Sequence, residues 1–158
     1  MNIKNWTLFL DRDGVINKRK SGGYIETPAE FVFLPGVLDI MPLLNDRFGR
    51  IVIVTNQQGI AKGIMTEEDL SDLHGFMVDE IKAVGGRIDK VYYCPEAAYL
   101  KSPCRKPNTG MGLEAEADFP EIDFEKSILV GDSDSDIEFG NRLGMKTVWI
   151  NHEEVSVK

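Results

Sequence analysis

Five short runs of apolar and β-branched residues limit what this chain of 158 residues can fold into: WTLFLD (6–11), RIVIVT (50–55), IDKVYY (88–93), SILVG (127–131) and KTVWI (146–150). Runs of this length and composition, bounded by turn residues, read as buried strands. Between the second and third, residues 66–84 place Leu70, Leu73, Met77, Ile81 and Val84 at spacings of three and four, and Thr66 with Asp69 offers a capping box. Further helices are predicted over 37–47, where Pro42 removes one hydrogen bond, over 109–118, and over 134–143 with Gly144 as the stop. The stretch 17–34, with Gly, Pro and a little alternation, reads as a flap or hairpin. Alternation of this kind predicts an α/β, doubly wound, Rossmann-like parallel sheet with helices on both faces. The length suits one domain over 1–158.

Charge narrows the partners. A net charge of −8 argues against nucleic acid and against an anionic membrane surface, both of which need a basic face. No window approaches the ~20 apolar residues of a membrane span, and MNIKNW lacks the apolar stretch of a signal peptide. Cys94 and Cys104 are too few for a disulfide framework. The expectation is a cytoplasmic protein, working as a monomer on a small molecule.

In open sheets of this type ligands bind beyond the carboxyl ends of the strands. The first strand ends in Asp11-Arg12-Asp13-Gly14, the second in Thr55-Asn56-Gln57, and the fourth in Gly131-Asp132-Ser133-Asp134-Ser135-Asp136. The loop after the third carries Arg105-Lys106-Pro107. Each has an ordinary reading: Thr55 as a helix cap, Ser133 with Asp136 as a capping box, Lys106 as a surface lysine. Together they place acids, a hydroxyl and a lysine on one rim. Phosphoryl transfer through an aspartyl-phosphate uses that set. One carboxylate attacks phosphorus, a divalent cation offsets the charge of both anions, and a second carboxyl group moves the proton. A hydroxyl and a lysine hold the phosphoryl oxygens where charge develops.

DRDGV, VTNQQG, CRKP and VGDSDSD, in that order, resemble the four signature motifs of the haloacid dehalogenase (HAD) superfamily of phosphatases over about residues 7 to 150. The resemblance implies that Asp11 is the nucleophile and Asp13 the general acid and base, with Thr55 and Lys106 binding the phosphoryl group. It implies Mg²⁺ as cofactor, held by Asp11, the main-chain carbonyl of Asp13, and Asp132, with Asp136 behind them or purely structural. FLDRDGVIN, TNQQGIAKG and YYCP…CRKPNTGM are similar to one branch of the superfamily, which acts on heptose 1,7-bisphosphate and on histidinol phosphate and has no large cap domain. That likeness implies substrate contacts at Gly23, Tyr24, Asn56, Gln57, Arg105 and Lys106. The implied reaction is hydrolysis of the C7 phosphate of D-glycero-D-manno-heptose 1,7-bisphosphate, with histidinol phosphate or another small phosphomonoester as the alternative.

Two departures qualify the likeness. The branch commonly carries a zinc site of the form Cys-x-His … Cys-x-Cys in the third loop, whereas here Pro95-Glu96 follow Cys94 and Ser102-Pro103 precede Cys104. A closed zinc site wants four N or S ligands, so no zinc and two free thiols are expected. Ser133 stands where the branch often has a basic residue. A non-catalytic phospho-acceptor receiver module gathers similar residues, but its acceptor Asp sits on a later strand, and the third strand here ends in Tyr93-Cys94.

Overall fold

The computed structural model describes residues 3–152. Five parallel strands form one sheet in the order β3-β2-β1-β4-β5: β1 (Thr7–Leu10), β2 (Arg50–Asn56), β3 (Lys90–Cys94), β4 (Ser127–Gly131) and β5 (Lys146–Trp149). Helices α1 (Val37–Arg47), α2 (Glu67–Ala83), α3 (Gly110–Asp118) and α4 (Asp134–Leu143) connect them.

Strand alternation divides the core in two. Leu8, Leu10, Ile51 and Ile53 face one side, where they join Met41 of α1 and Leu70, Leu73, Met77 and Ile81 of α2. Phe9, Val52, Val54 and Leu129 face the other, against Met111 and Ala115 of α3 and Phe139 of α4. Successive side chains of a strand point to opposite faces, so a strand covered on both must be apolar at every position. That is why 51–54 reads IVIV.

The predicted helices lie close to where the periodicity puts them. α2 has the Thr66–Asp69 capping box, with reciprocal bonds of 3.0 and 2.9 Å. α4 stops at Gly144, whose φ of 82° is left-handed. α1 runs through Pro42. The flap expected over 17–34 is a loop rather than a laddered hairpin. A single antiparallel bridge, Asn17 with Phe33, closes its neck, and buried Ile25 and Phe31 anchor it to the α2 side.

Connectivity places the site. From β1 the chain adds β2 and β3 on one side, then crosses to put β4 and β5 on the other. Leu10 therefore lies between Ile53 and Val130, and the ends of β1, β2 and β4 are neighbours at the switch point. Among the described residues, no large cap domain interrupts this arrangement.

Candidate active site

Asp11 is the first residue past the central strand, and its N–H still donates to the Val130 carbonyl at 3.0 Å. Its carboxylate is buried. Lys106, 3% exposed, donates to Asp11 Oδ1 at 2.9 Å, to Asp136 Oδ1 at 2.6 Å and to the Val54 carbonyl at 2.8 Å. All three ammonium hydrogens are thus engaged. Asn56 holds the lysine from behind: its side chain accepts from the Lys106 N–H at 3.0 Å and donates to the Lys106 carbonyl at 3.2 Å. Burial works against the Lys106 charge, but Asp11 and Asp136 outweigh it and hold the ammonium above its ordinary pKa. Asp136 is fully committed: beyond Lys106, its Oδ2 takes the Ser133 hydroxyl at 2.8 Å and the N–H groups of Asp132 and Ser133. A Cβ on Gly131 would collide with the Asp136 side chain, so glycine is what admits the acid there.

Asp13 sits in a second network. Its Oδ1 accepts from Arg12 Nη2 at 2.8 Å, Arg12 Nε at 3.2 Å and Asn17 Nδ2 at 2.9 Å; its Oδ2 accepts from Gln57 Nε2 at 3.0 Å. Gln57 also donates to Thr55 Oγ1 at 2.9 Å. Burial pulls the Asp13 carboxyl upward, but Arg12, Asn17 and Gln57 outweigh it and hold it below the usual range. Arg12 is 1% exposed and meets His74 Nε2 of α2 at 3.1 Å. Burial, with the Arg12 cation beside it, pushes the His74 pKa down to about 3, so the ring is neutral and its Nε2 accepts.

This linkage has a measurable sign. Below its ordinary pKa of about 6.5, His74 takes up a proton in the unfolded chain but not in the native one until about pH 3. Its contribution to stability is complete above about pH 6.5 and declines as pH falls toward 3. His74→Gln removes it. Relative to wild type, the variant should gain about 2 kcal/mol between pH 7 and pH 5 in urea unfolding. A difference that does not change with pH would mean His74 titrates normally.

The third corner is rich in oxygen. Carboxylate oxygens of Asp11, Asp132 and Asp136 lie within 4.8 Å of one another. With Asp136 committed to Lys106 and α4, Asp11 and Asp132 are the side chains left to hold a cation. Burial, with Asp136 and Asp13 near it, pushes the Asp11 carboxyl up to about 7 despite Lys106. Such a carboxylate gains from a further cation, and an all-oxygen donor set fits Mg²⁺ rather than a thiophilic metal. Arg19 already reaches this corner, with Nε and Nη2 both 2.7 Å from the two Asp132 oxygens and Nη2 4.0 Å from Asp11 Oδ2. Gly14, at φ 87°, lets the chain turn under Asp132; any Cβ there would strike its carboxylate. 

A cavity of about 320 Å³ opens above Asp11 and Asp13, edged by Gly23, Tyr24, Gln58 and Arg105. Lys62 lies 5.4 Å from the Tyr24 ring centroid, and Gly59 backs the ring. Arg105 Nη1 is buried without a hydrogen-bond partner. Of the predicted substrate contacts, Gly23, Tyr24, Asn56, Arg105 and Lys106 line the cavity. Thr55 and Gln57 are buried behind Asp13, and Gln58 lines the wall instead.

The cysteine expectation is corrected. Cys94 and Cys104 are not free thiols but a disulfide, because the loop leaving β3 folds back and brings their Cα atoms to 5.4 Å. A cysteine count cannot show that approach. Arg12 and His74 also escaped the sequence reading. Their signals were present: an arginine between two acids at a buried strand end, and a histidine four residues after Leu70 inside the apolar stripe of α2.

Sheet, switch point and acidic rim fit a phosphoric monoester hydrolase of the HAD type, the class of the known proteins that this chain resembles. A profile of HAD-hydrolase-like proteins matches residues 103–156. The D-glycero-alpha-D-manno-heptose-1,7-bisphosphate 7-phosphatase of Burkholderia mallei is 40% identical over 152 residues, covering 92% of this chain and 79% of that protein. The D-glycero-beta-D-manno-heptose-1,7-bisphosphate 7-phosphatase of Rhodopseudomonas palustris is 35% identical over 156 residues, covering 94% and 85%. Among solved structures, the D,D-heptose 1,7-bisphosphate phosphatase of B. bronchiseptica, crystallised with magnesium and phosphate, superposes with a TM-score of 0.83 at 29% identity, covering 90% of this chain and 78% of that one. The chain belongs to the HAD superfamily phosphatases, in one family with these heptose-bisphosphate 7-phosphatases. 

Proposed function

We propose that this phosphatase removes the C7 phosphate of D-glycero-D-manno-heptose 1,7-bisphosphate through a phosphorylated Asp11. The observation that carries the substrate reading is Arg105: a cation with an unpartnered buried Nη1 on the wall of a cavity whose floor is the nucleophile. A molecule with a second phosphate beyond the reacting one gives that group its partner. The names of the relatives support the same substrate.

In this reading Lys106 aims Asp11 and draws its pKa down against burial, and its engagement with Asp136 fixes its own position. Asp11 attacks phosphorus while Asp13 gives a proton to the departing sugar oxygen. Asp13 then takes a proton from the water that attacks the aspartyl-phosphate. Asp13 is ionised in the free protein, and an arriving phosphate dianion raises its proton affinity enough to load it. Thr55 Oγ1 accepts from Gln57 and so keeps its own hydrogen for a phosphoryl oxygen seated against Asp11, although its hydroxyl is buried and outside the cavity lining in the free protein. Asp11, Asp132 and the Asp13 main-chain carbonyl would hold Mg²⁺, which would supply positive charge for the approach of one anion to another. The chain acts in this reading as a single-domain monomer in the cytoplasm. No described helix is long and apolar enough to cross a membrane.

The test is phosphate release from heptose 1,7-bisphosphate (both anomers), heptose 7-phosphate and histidinol phosphate, with wild type and Arg105→Ala. The bisphosphate should be preferred by wild type. Arg105→Ala should lower its kcat/KM about 10- to 100-fold, as loss of a charge-assisted contact does, while the monophosphates change little. Equal losses on all substrates would remove Arg105 from second-phosphate recognition. Preference for histidinol phosphate would replace the substrate but keep the chemistry.

A further inference from the structure

We infer that Arg12, buttressed by His74, is a positioning residue that occupies Oδ1 of Asp13 and so reserves Oδ2 for proton transfer. This rests on the reading of Asp13 as acid and base. The two oxygens are treated very unequally. Oδ1 receives three donors, two from Arg12 and one from Asn17. Oδ2 receives one, from Gln57 at 3.0 Å, and keeps a lone pair. A carboxyl proton on Oδ1 would meet three N–H groups and on Oδ2 one, and the Asp13 side chain, 23% exposed, borders the reaction cavity.

A guanidinium is suited to this task. Its rigid fork places Nε and Nη2 on one carboxylate oxygen and leaves Nη1 pointing away, where the buried His74 Nε2 receives it at 3.1 Å. His74 belongs to α2 and is buried there along with Leu73 and Met77, so the fork is tied to a core helix rather than to the loops of the rim. The Arg12 carbonyl accepts from the N–H groups of Val15 and Ile16, at 3.1 and 2.8 Å, and this tight turn delivers Asn17 to the same oxygen.

In the first half-reaction the Oδ2–H bond breaks and its proton joins the ester oxygen as the P–O bond cleaves. In the second, a water O–H bond breaks, its proton returns to Oδ2, and the hydroxide oxygen bonds to phosphorus as the bond from phosphorus to the Asp11 oxygen breaks, which frees inorganic phosphate and restores the Asp11 carboxylate. A merely structural ion pair would not care which leaving group is present. A pair that aims the acid must, because an alkoxide needs the proton and a nitrophenolate does not.

The experiment compares kcat/KM, which reports only formation of the aspartyl-phosphate, for heptose 1,7-bisphosphate and 4-nitrophenyl phosphate in magnesium. Wild type, Asp13→Asn, Arg12→Lys, His74→Leu and His74→Gln are tested, with urea midpoints to monitor folding. Arg12→Lys keeps the charge without the fork, and His74→Leu removes the acceptor. Each should lose about 30-fold on the sugar ester and less than about threefold on the aryl ester, as a small misplacement of a catalytic group does. His74→Gln, whose amide oxygen can accept from Arg12, should recover to within about threefold of wild type. If Asp13→Asn shows the selective loss but Arg12→Lys and His74→Leu lower both esters alike or neither, the positioning role is wrong and the acid–base reading survives. If Asp13→Asn itself shows no selectivity, that reading fails and the inference with it. His74→Leu and Arg12→Lys act at different ends of the same contact, so one folded variant suffices to decide.

Discussion

Replacing Asp11 with Asn should lower phosphate release by about 10⁴-fold or more at saturating magnesium and substrate, as removal of a lone nucleophile does. The protein should remain folded. Asn has the shape of Asp, and Lys106 keeps its bonds to Asp136 and to the Val54 carbonyl. The carboxylate removed is one that burial disfavours, so the thermal midpoint without metal should be unchanged or higher. Activity and stability should thus part company, which separates a lost nucleophile from a damaged fold. Acid-quenched wild type should carry phosphate on Asp11 by peptide mass, and the variant should carry none. A variant retaining more than about one hundredth of wild-type turnover would show that Asp11 is not the nucleophile.

Lys106→Met should have the largest effect on stability. The ammonium is buried and binds two buried carboxylates, Asp11 at 2.9 Å and Asp136 at 2.6 Å. Methionine of similar length leaves them facing each other with no cation, a change that typically costs about 3–5 kcal/mol. Turnover should fall by about 10²–10³ because a group that stabilises developing charge is gone. Magnesium separates this from simple cavity formation. A divalent cation between Asp11 and Asp132 partly replaces the missing charge, so it should raise the unfolding midpoint more in the variant than in wild type. A wild-type midpoint, or no added benefit from magnesium, would mean that the lysine does not hold the acids.

The correspondence between sequence and structure differs in kind from element to element. Helix α2 was legible because a stripe at 70, 73, 77 and 81, a cap at Thr66 and a charged outer face all state the same thing. The first strand was legible at its core, but its expected end was generous. Asp11 keeps only its N–H bond to Val130 before Gly14 turns the chain, so the ladder stops at Leu10. The expected start of the third strand at Ile88 gave way to Lys90. Asp89 uses its carboxylate on the Ile51 N–H at 2.8 Å, bonding from the side chain next to its own backbone bond there. The 17–34 segment carried no decisive periodicity, and its shape follows from where Ile25 and Phe31 find a core to enter.

Residue types and chain order alone determined the layered α/β architecture and the acids at the strand ends, because both follow from local pattern: two-residue and 3.6-residue periods, and what punctuates them. The tertiary structure decided which oxygen each donor reaches. It spent the three hydrogens of Lys106 on Asp11, Asp136 and Val54, turned Gln57 inward to Asp13 while Gln58 took the cavity wall, joined Cys94 to Cys104, and set His74 behind Arg12. Those pairings span up to 95 positions of sequence, as between Asp11 and Lys106. Hydrogen bonds and disulfides act over a few ångströms, and it takes the pairing of β1 with β2 and β4 and the return of the chain after β3 to bring such distant residues that close.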